Sequence, residues 1–123
     1  MTDNRDRWPM YYILLDRTPI AVDMMTWAMW FENADNRRIA RTEISERCHV
    51  STVFLGLDRN WTMSGDPVVF ESMVFGGPLD QEQRRYRSYA EAERGHQELV
   101  TEARKATAQV EAIAKAAHHN EEP

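Results

Sequence analysis

VSTVFLGLDRNW (residues 50–61) and VVFESMVFGG (residues 68–77) are the two most apolar segments of the chain. Between them lie the turn formers Asn60, Ser64, Gly65, Asp66 and Pro67, so the pair reads as two strands joined by a hairpin loop. The first segment, extended back to His49, is the longest strand candidate, and its apolar residues fall on both faces, as in a central strand. The second places Val69, Glu71, Met73 and Phe75 on one side and Val68, Phe70, Ser72 and Val74 on the other. A sheet built around these two strands therefore decides the fold.

Working outward, RRIARTEI (37–44) alternates and supplies a further strand, and RRYRSY (84–89) a last one. MYYILLD (10–16) and TPIAV (18–22) form a tight hairpin about Asp16 and Arg17, with Pro19 confining its second arm to an edge. Asp23 stands where an N-cap belongs, ahead of a helix carrying Trp27, Phe31 and Ala34 at helical spacing. That helix is apolar almost all round, so either a second layer covers its far side or Trp30 and the Met cluster form an exposed sticky surface; burial in the core rather than a ligand site is the expectation for its Met and Trp residues. The reading is α+β: an antiparallel sheet of about five strands, one helix packed on it, and a long C-terminal helix. The element order is β-β-α-β-β-β-β-α, one strand being doubtful.

The C-terminal helix carries the clearest periodicity. Ser88 and Glu91 make an S-x-x-E capping box. Ala92, His96, Leu99, Ala103, Ala106, Val110, Ile113 and Ala117 then follow in alternating steps of four and three, a coiled-coil repeat. A helix over 89–117 is about 43 Å long, longer than so small a domain is wide. The expected division is a body at 1–97 and a projecting helix and tail at 98–123. A homo-oligomer through Leu99, Ala103, Ala106, Val110 and Ile113 is expected.

Composition narrows the function classes. A chain of 123 residues, 42% hydrophobic, supports one modest core and one domain. The longest apolar run, AVDMMTWAMWF (21–31), is interrupted by Asp23 and too short to span a bilayer, and the charged start MTDNRDRW lacks a secretory signal, so a cytoplasmic protein without a membrane partner is expected. The net charge of −5 argues against nucleic acid. Cys48 cannot staple the chain alone, and as neighbours on a strand Cys48 and His49 face opposite ways, so it reads as a half-buried thiol rather than a nucleophile. No H-E-x-x-H, paired C-x-x-C, Walker or G-x-S-x-G motif occurs, so no catalytic residue, metal or cofactor is assigned. His118 and His119 lack a third ligand, and His96 reads as a packed, hydrogen-bonded imidazole.

The candidate site residues are Asp58, Glu71, Arg41, Arg85, Trp30 and Trp61, as a binding surface. Glu71 shares its strand face with the apolar Val69, Met73 and Phe75, so it either faces solvent across an exposed apolar surface or is buried and paired, the pairing with Arg41 being the expectation. Asp58 either joins Glu71 as an acid–base pair or simply opens a turn by accepting backbone amides. Arg37, Arg38 and Arg41 form one basic cluster and Arg84, Arg85 and Arg87 a second. Arg forks suit carboxylate or phosphate, so the two clusters hold an anion if they share a face. The competing and stronger reading is that they solvate and blunt sheet edges.

VDMMTWAMWFENAD (22–35), RTEI (41–44), VSTVFLGLDRNW (50–61), VFESMVFGGPLD (69–80) and RYRSYAEAERGH (85–96), taken in order over residues 10–97, resemble a family of small, mostly uncharacterised proteins encoded by tailed bacteriophages and prophages. Arg59 stands where that pattern commonly has His, and Ser72 where it commonly has Thr; the Ala-rich extension beyond residue 97 is an addition. The resemblance brings no enzymatic activity and implies an accessory role in the host-cell cytoplasm. The expected function is a non-catalytic protein that binds a host protein or a small anionic ligand, for instance to counter host defence. The alternatives are a small acid–base hydrolase or nucleotide-modifying enzyme using Asp58 and Glu71, and a minor virion component.

Overall fold

The computed structural model describes residues 11–60 and 65–120, with side chains to His118. Trp61 lies outside the described residues. The chain runs β1 (Tyr11–Leu15), β2 (Thr18–Val22), α1 (Met24–Phe31), a 3-10 turn (Ala34–Asn36), β3 (Arg38–Ser45), β4 (Cys48–Phe54), β5 (Phe70–Phe75), β6 (Gln83–Tyr86) and α2 (Tyr89–Asn120). The α+β class and the element order are those read from the sequence. The strands, however, divide into two antiparallel sheets, β1-β2 alone and β3-β4-β5-β6. Asp16 and Arg17 both take positive φ, which closes a two-residue turn whose twist suits a hairpin. Tyr12 N donates to the Gly56 carbonyl at 2.9 Å, so the hairpin joins the body at the loop after β4 and not at a sheet edge.

Strand β4 is central, as expected, and alternates cleanly: Cys48, Val50, Thr52 and Phe54 are buried and the residues between them half-buried. Phe70, Ser72 and Val74 of β5 point the same way, and α2 covers this inner face with Ala92, His96, Leu99, Val100 and Ala103. The core falls into two apolar clusters. One gathers Cys48, Val50, Val74, Leu99, Val100 and Ala103; the other gathers Phe54, Val69, Phe70 and Ala92, with Trp30, Tyr86 and Tyr89 packed on it. Between them runs a buried polar layer. His96 holds the Thr52 hydroxyl at 2.6 Å through Nδ1 and the Thr42 hydroxyl at 2.8 Å through Nε2, and Thr52 in turn bonds Ser72. A neutral imidazole has one donor and one acceptor nitrogen, so two rotatable hydroxyls satisfy it in either tautomer. Burial pushes the His96 pKa down.

Glu91 N donates to Ser88 Oγ at 3.1 Å, the backbone half of the expected capping box. Helix α2 is continuous across residue 97 and about 48 Å long at 1.5 Å per residue. Its packing on the sheet extends through Ala103, beyond the division expected at residue 97. Leu99 and Ala103 therefore belong to the intramolecular core, which corrects their assignment to an oligomer seam. Residues 108–118 are exposed throughout, Val110 and Ile113 among them.

Helix α1 starts as expected, with Thr26 N donating to Asp23 Oδ1 at 2.7 Å. It stops at Phe31, short of Ala34, because Asn33 turns its carbonyl oxygen onto Asp35 N and begins the 3-10 turn. Trp27, Trp30 and Phe31 turn inward. Met24, Met25 and Met29 do not: all three are more than half exposed, which overturns the expectation of a wholly buried helix. Their face has no second layer over it among the described residues.

Candidate functional site

The outer face of the four-stranded sheet, opposite α2, carries exposed and half-buried side chains among the described residues, Arg41, Ser51, Val53, Glu71, Met73 and Arg85 among them. At one corner α1 and the segment that follows β4 rise above it and enclose an open cavity of about 500 Å³. Trp27 and Phe31 come from α1, Ala34 and Arg37 from the 3-10 turn and its end, Arg38 and Arg41 from β3, Ser51 and Val53 from β4, and Leu55, Leu57 and Arg59 from the segment beyond. Four arginines thus line one cavity. Among the described residues no acidic side chain lines it, in a chain whose net charge is −5.

Local structure holds these groups in place. Tyr11 packs on Trp27 with ring centroids 5.1 Å apart, Phe31 stacks on Trp27 at 4.7 Å, and the Arg37 guanidinium lies over the Phe31 ring at 4.3 Å. Gly56 makes the stack possible. It takes φ +75°, and a Cβ there would come within 2.7 Å of Trp27 Nε1 and 2.8 Å of Phe31 Cε2. Arg37 Nε and Trp27 Nε1 are both buried with no hydrogen-bond partner among the described residues. Arg59 is held through its backbone: its N–H donates to the Val68 carbonyl at 2.8 Å. On either side of it, Asn60 N and Val68 N both donate to Asp58 Oδ1 at 2.8 Å.

The expected acid pair separates in this geometry. Asp58 is nearly buried and spends its carboxylate on two backbone amides, which is the turn-opening role. Glu71 sits on the outer face and is paired, but with Arg85 of β6, opposite it in the sheet register, at 3.0 Å; Gln83 also bonds it. The expected partner, Arg41, instead bonds Glu43 on its own strand at 2.9 Å. Trp30 packs edge-on against Phe54 at 5.5 Å and takes no part in the cavity. Of the five candidate binding residues that are described, Arg41 alone lines the cavity; Arg37 and Arg38 of its sequence cluster join it, and Trp27, Phe31 and Arg59 are brought to it only by the return of the chain across the fold.

The two arginine clusters do not merge. Arg84 makes a two-pronged bond to Glu102 of α2 at 2.8 and 2.9 Å, on the inner side, while Arg85 is on the outer side with Glu71. That pairing raises the Arg84 pKa and lowers that of Glu102. Both clusters lie on edge strands, where arginine also discourages edge-to-edge pairing. Cys48 is 2% exposed, and burial first, then the carboxylates of Asp80 and Glu43, push its pKa up, so it stays a thiol. No group of three or more His, Cys, Asp or Glu side chains able to hold a metal occurs among the described residues. No described helix is long and apolar enough to cross a membrane.

Removing the Asp58 carboxylate tests the loop assignment. Asp58→Ala is expected to cost about 1–3 kcal/mol in urea denaturation, the range for leaving buried amides unpaired. Asp58→Asn, which keeps an acceptor oxygen, should recover most of that loss. Equal effects of the two would remove the backbone-anchoring role.

Against known proteins the chain stands apart: no protein-family model, no curated protein and no solved structure matches it.

Proposed function

We propose that this protein is a non-catalytic binding protein that takes a small anionic ligand into the cavity between α1 and the outer face of the sheet. One observation carries the reading: Arg37, Arg38, Arg41 and Arg59 all line this cavity, and among the described residues no acidic side chain does. Arg38 and Arg41 have exposed partners, Asp35 and Glu43, and such surface pairs are worth little, so an incoming anion displaces them cheaply. The apolar wall of Trp27, Phe31, Val53, Leu55 and Leu57 lowers the local dielectric and strengthens each charge contact. The ordered motifs over residues 10–97 support a phage- or prophage-encoded accessory role for such a binder.

Isothermal titration with a panel of small organic anions tests this. At least one should bind, with affinity falling as salt rises. Arg59→Ala, an exposed side chain, should weaken binding at least about tenfold, the loss of one charge-assisted contact. No binding across the panel, or an Arg59→Ala protein that binds normally, would contradict the proposal. The hydrolase reading predicts instead that Asp58→Asn with Glu71→Gln abolishes a turnover that a folded protein otherwise shows.

The proposed partner also includes a second copy of the chain, through the distal part of α2. Ala106, Val110, Ile113 and Ala117 continue the four-three spacing beyond the packed region, with Val110 49% and Ile113 69% exposed. Sedimentation equilibrium should show self-association that Val110→Asp with Ile113→Asp abolishes without loss of helix. A protein that sediments as a single chain at high concentration would remove this element.

A further inference from the structure

Building on the anion-binding reading, we infer that the ligand is a phosphate monoester of a flat aromatic body, the chemistry of a nucleoside monophosphate. The cations come in two kinds. Arg38 and Arg41 have carboxylate partners, whereas Arg37 and Arg59 make no ion pair among the described residues. These last two reach the cavity from different elements, Arg37 from the end of the 3-10 turn and Arg59 from the segment after β4. A planar carboxylate offers two oxygens in one plane and one arginine fork saturates it. Two forks approaching from separate elements are matched by a tetrahedral dianion, which presents three terminal oxygens in different directions.

The remainder of the cavity describes what the phosphate is attached to. At about 500 Å³ it is of a size that encloses a drug-sized molecule, far more than a free phosphate fills. Its walls combine the rings of Trp27 and Phe31, the guanidinium laid over Phe31, and the aliphatic Val53, Leu55 and Leu57, with the Ser51 side chain as a polar contact. Because Trp27 and Arg37 already stack on Phe31, the cavity offers a ligand the edges of these rings, the branched aliphatic side chains and the Arg37 guanidinium, a rigid wall that suits a rigid ring, which surrenders less conformational freedom on binding than an acyl chain does. The Tyr11–Trp27–Phe31–Arg37 stack sets those walls before any ligand arrives.

Titration calorimetry on the full chain, at one ionic strength, compares adenosine 5′-monophosphate, adenosine, inorganic phosphate and octanoate. The monophosphate is expected to bind at least tenfold more tightly than each of the other three. Arg59→Ala should remove that advantage, and Arg104→Ala, on the exposed side of α2, should keep it. Octanoate binding as tightly as the monophosphate overturns this inference and leaves the anion-binding reading intact. Inorganic phosphate binding as tightly overturns it too, because the apolar wall would then contribute nothing. Failure of all four to bind overturns the inference, and, if the wider anion panel is also silent, the reading beneath it.

Discussion

Gly76→Ala is expected to destabilise the protein by about 3–5 kcal/mol, a large share of the ~5–15 kcal/mol that holds a domain of this size together. Gly76 ends β5 with φ +86°, a left-handed conformation, and a methyl group built on it would collide with the carbonyl of Arg47 in the turn between β3 and β4, whose carbon lies 2.9 Å away. The obstacle is backbone, so no rotamer change relieves it. Gly65 is the control. It has a comparable φ of +75°, but among the described residues its added methyl would meet only the guanidinium tip of Arg87, the far end of a flexible side chain. Gly65→Ala should therefore cost only about 1 kcal/mol, the conformational part alone. Urea midpoints for the two variants, with unchanged m values, measure the difference. If they are equal, the contact between the two turns is not what requires glycine at 76.

His96→Ala is the second large effect, about 3–5 kcal/mol. It opens a cavity between the two apolar clusters and leaves the hydroxyls of Thr42 and Thr52 without their imidazole partner. The same side chain gives stability a pH dependence of definite sign. Burial holds the folded-state pKa of His96 below the ordinary 6.5, so as pH falls past about 6.5 the unfolded chain takes up a proton before the folded one does. The contribution is complete above that pH and shrinks below it, at up to about 1.4 kcal/mol per pH unit until the folded imidazole itself protonates. Urea unfolding at pH 7.5, 6.5 and 5.5 should show the decline in the parent protein and a flatter profile in His96→Ala. Identical slopes would mean that His96 is not the group responsible.

Much of the fold can be read from local chemistry. Asp16 and Arg17 between two apolar runs, Asp23 before a helix and the long apolar run from His49 are short-range signals, and the hairpin, the start of α1 and the central strand stand where those signals put them. What escapes the linear reading depends on register and on return of the chain. Charge and strand pattern match Glu71 to Arg41, yet the antiparallel register sets it opposite Arg85. The cavity is harder still. Trp27, Arg37 and Arg59 are ten and twenty-two residues apart along the chain, and Arg59 reads in isolation as one exposed charge in a turn. Its place in the same cavity lining as Arg37 follows from the Asp58 anchor, whose function as a loop clamp hides behind its look as a possible acid. Likewise, a four-three repeat does not say where intramolecular packing hands over to the exposed part of a helix; only the length of the sheet decides that Ala103 is inside and Val110 outside.

The layer of Thr42, Thr52, Ser72 and His96 also works as a ruler. Helix α2 is rich in alanine, and a smooth small-residue face laid on aliphatic strands offers several nearly equivalent parking positions along its axis. Sliding by one turn would carry the imidazole some 5 Å away from its hydroxyls, so only one position is free of stranded polar groups. The far end of the rod is thereby delivered at a fixed distance from the arginine-lined cavity on the opposite side of the sheet, and any partner that grips that end meets the body at a constant reach.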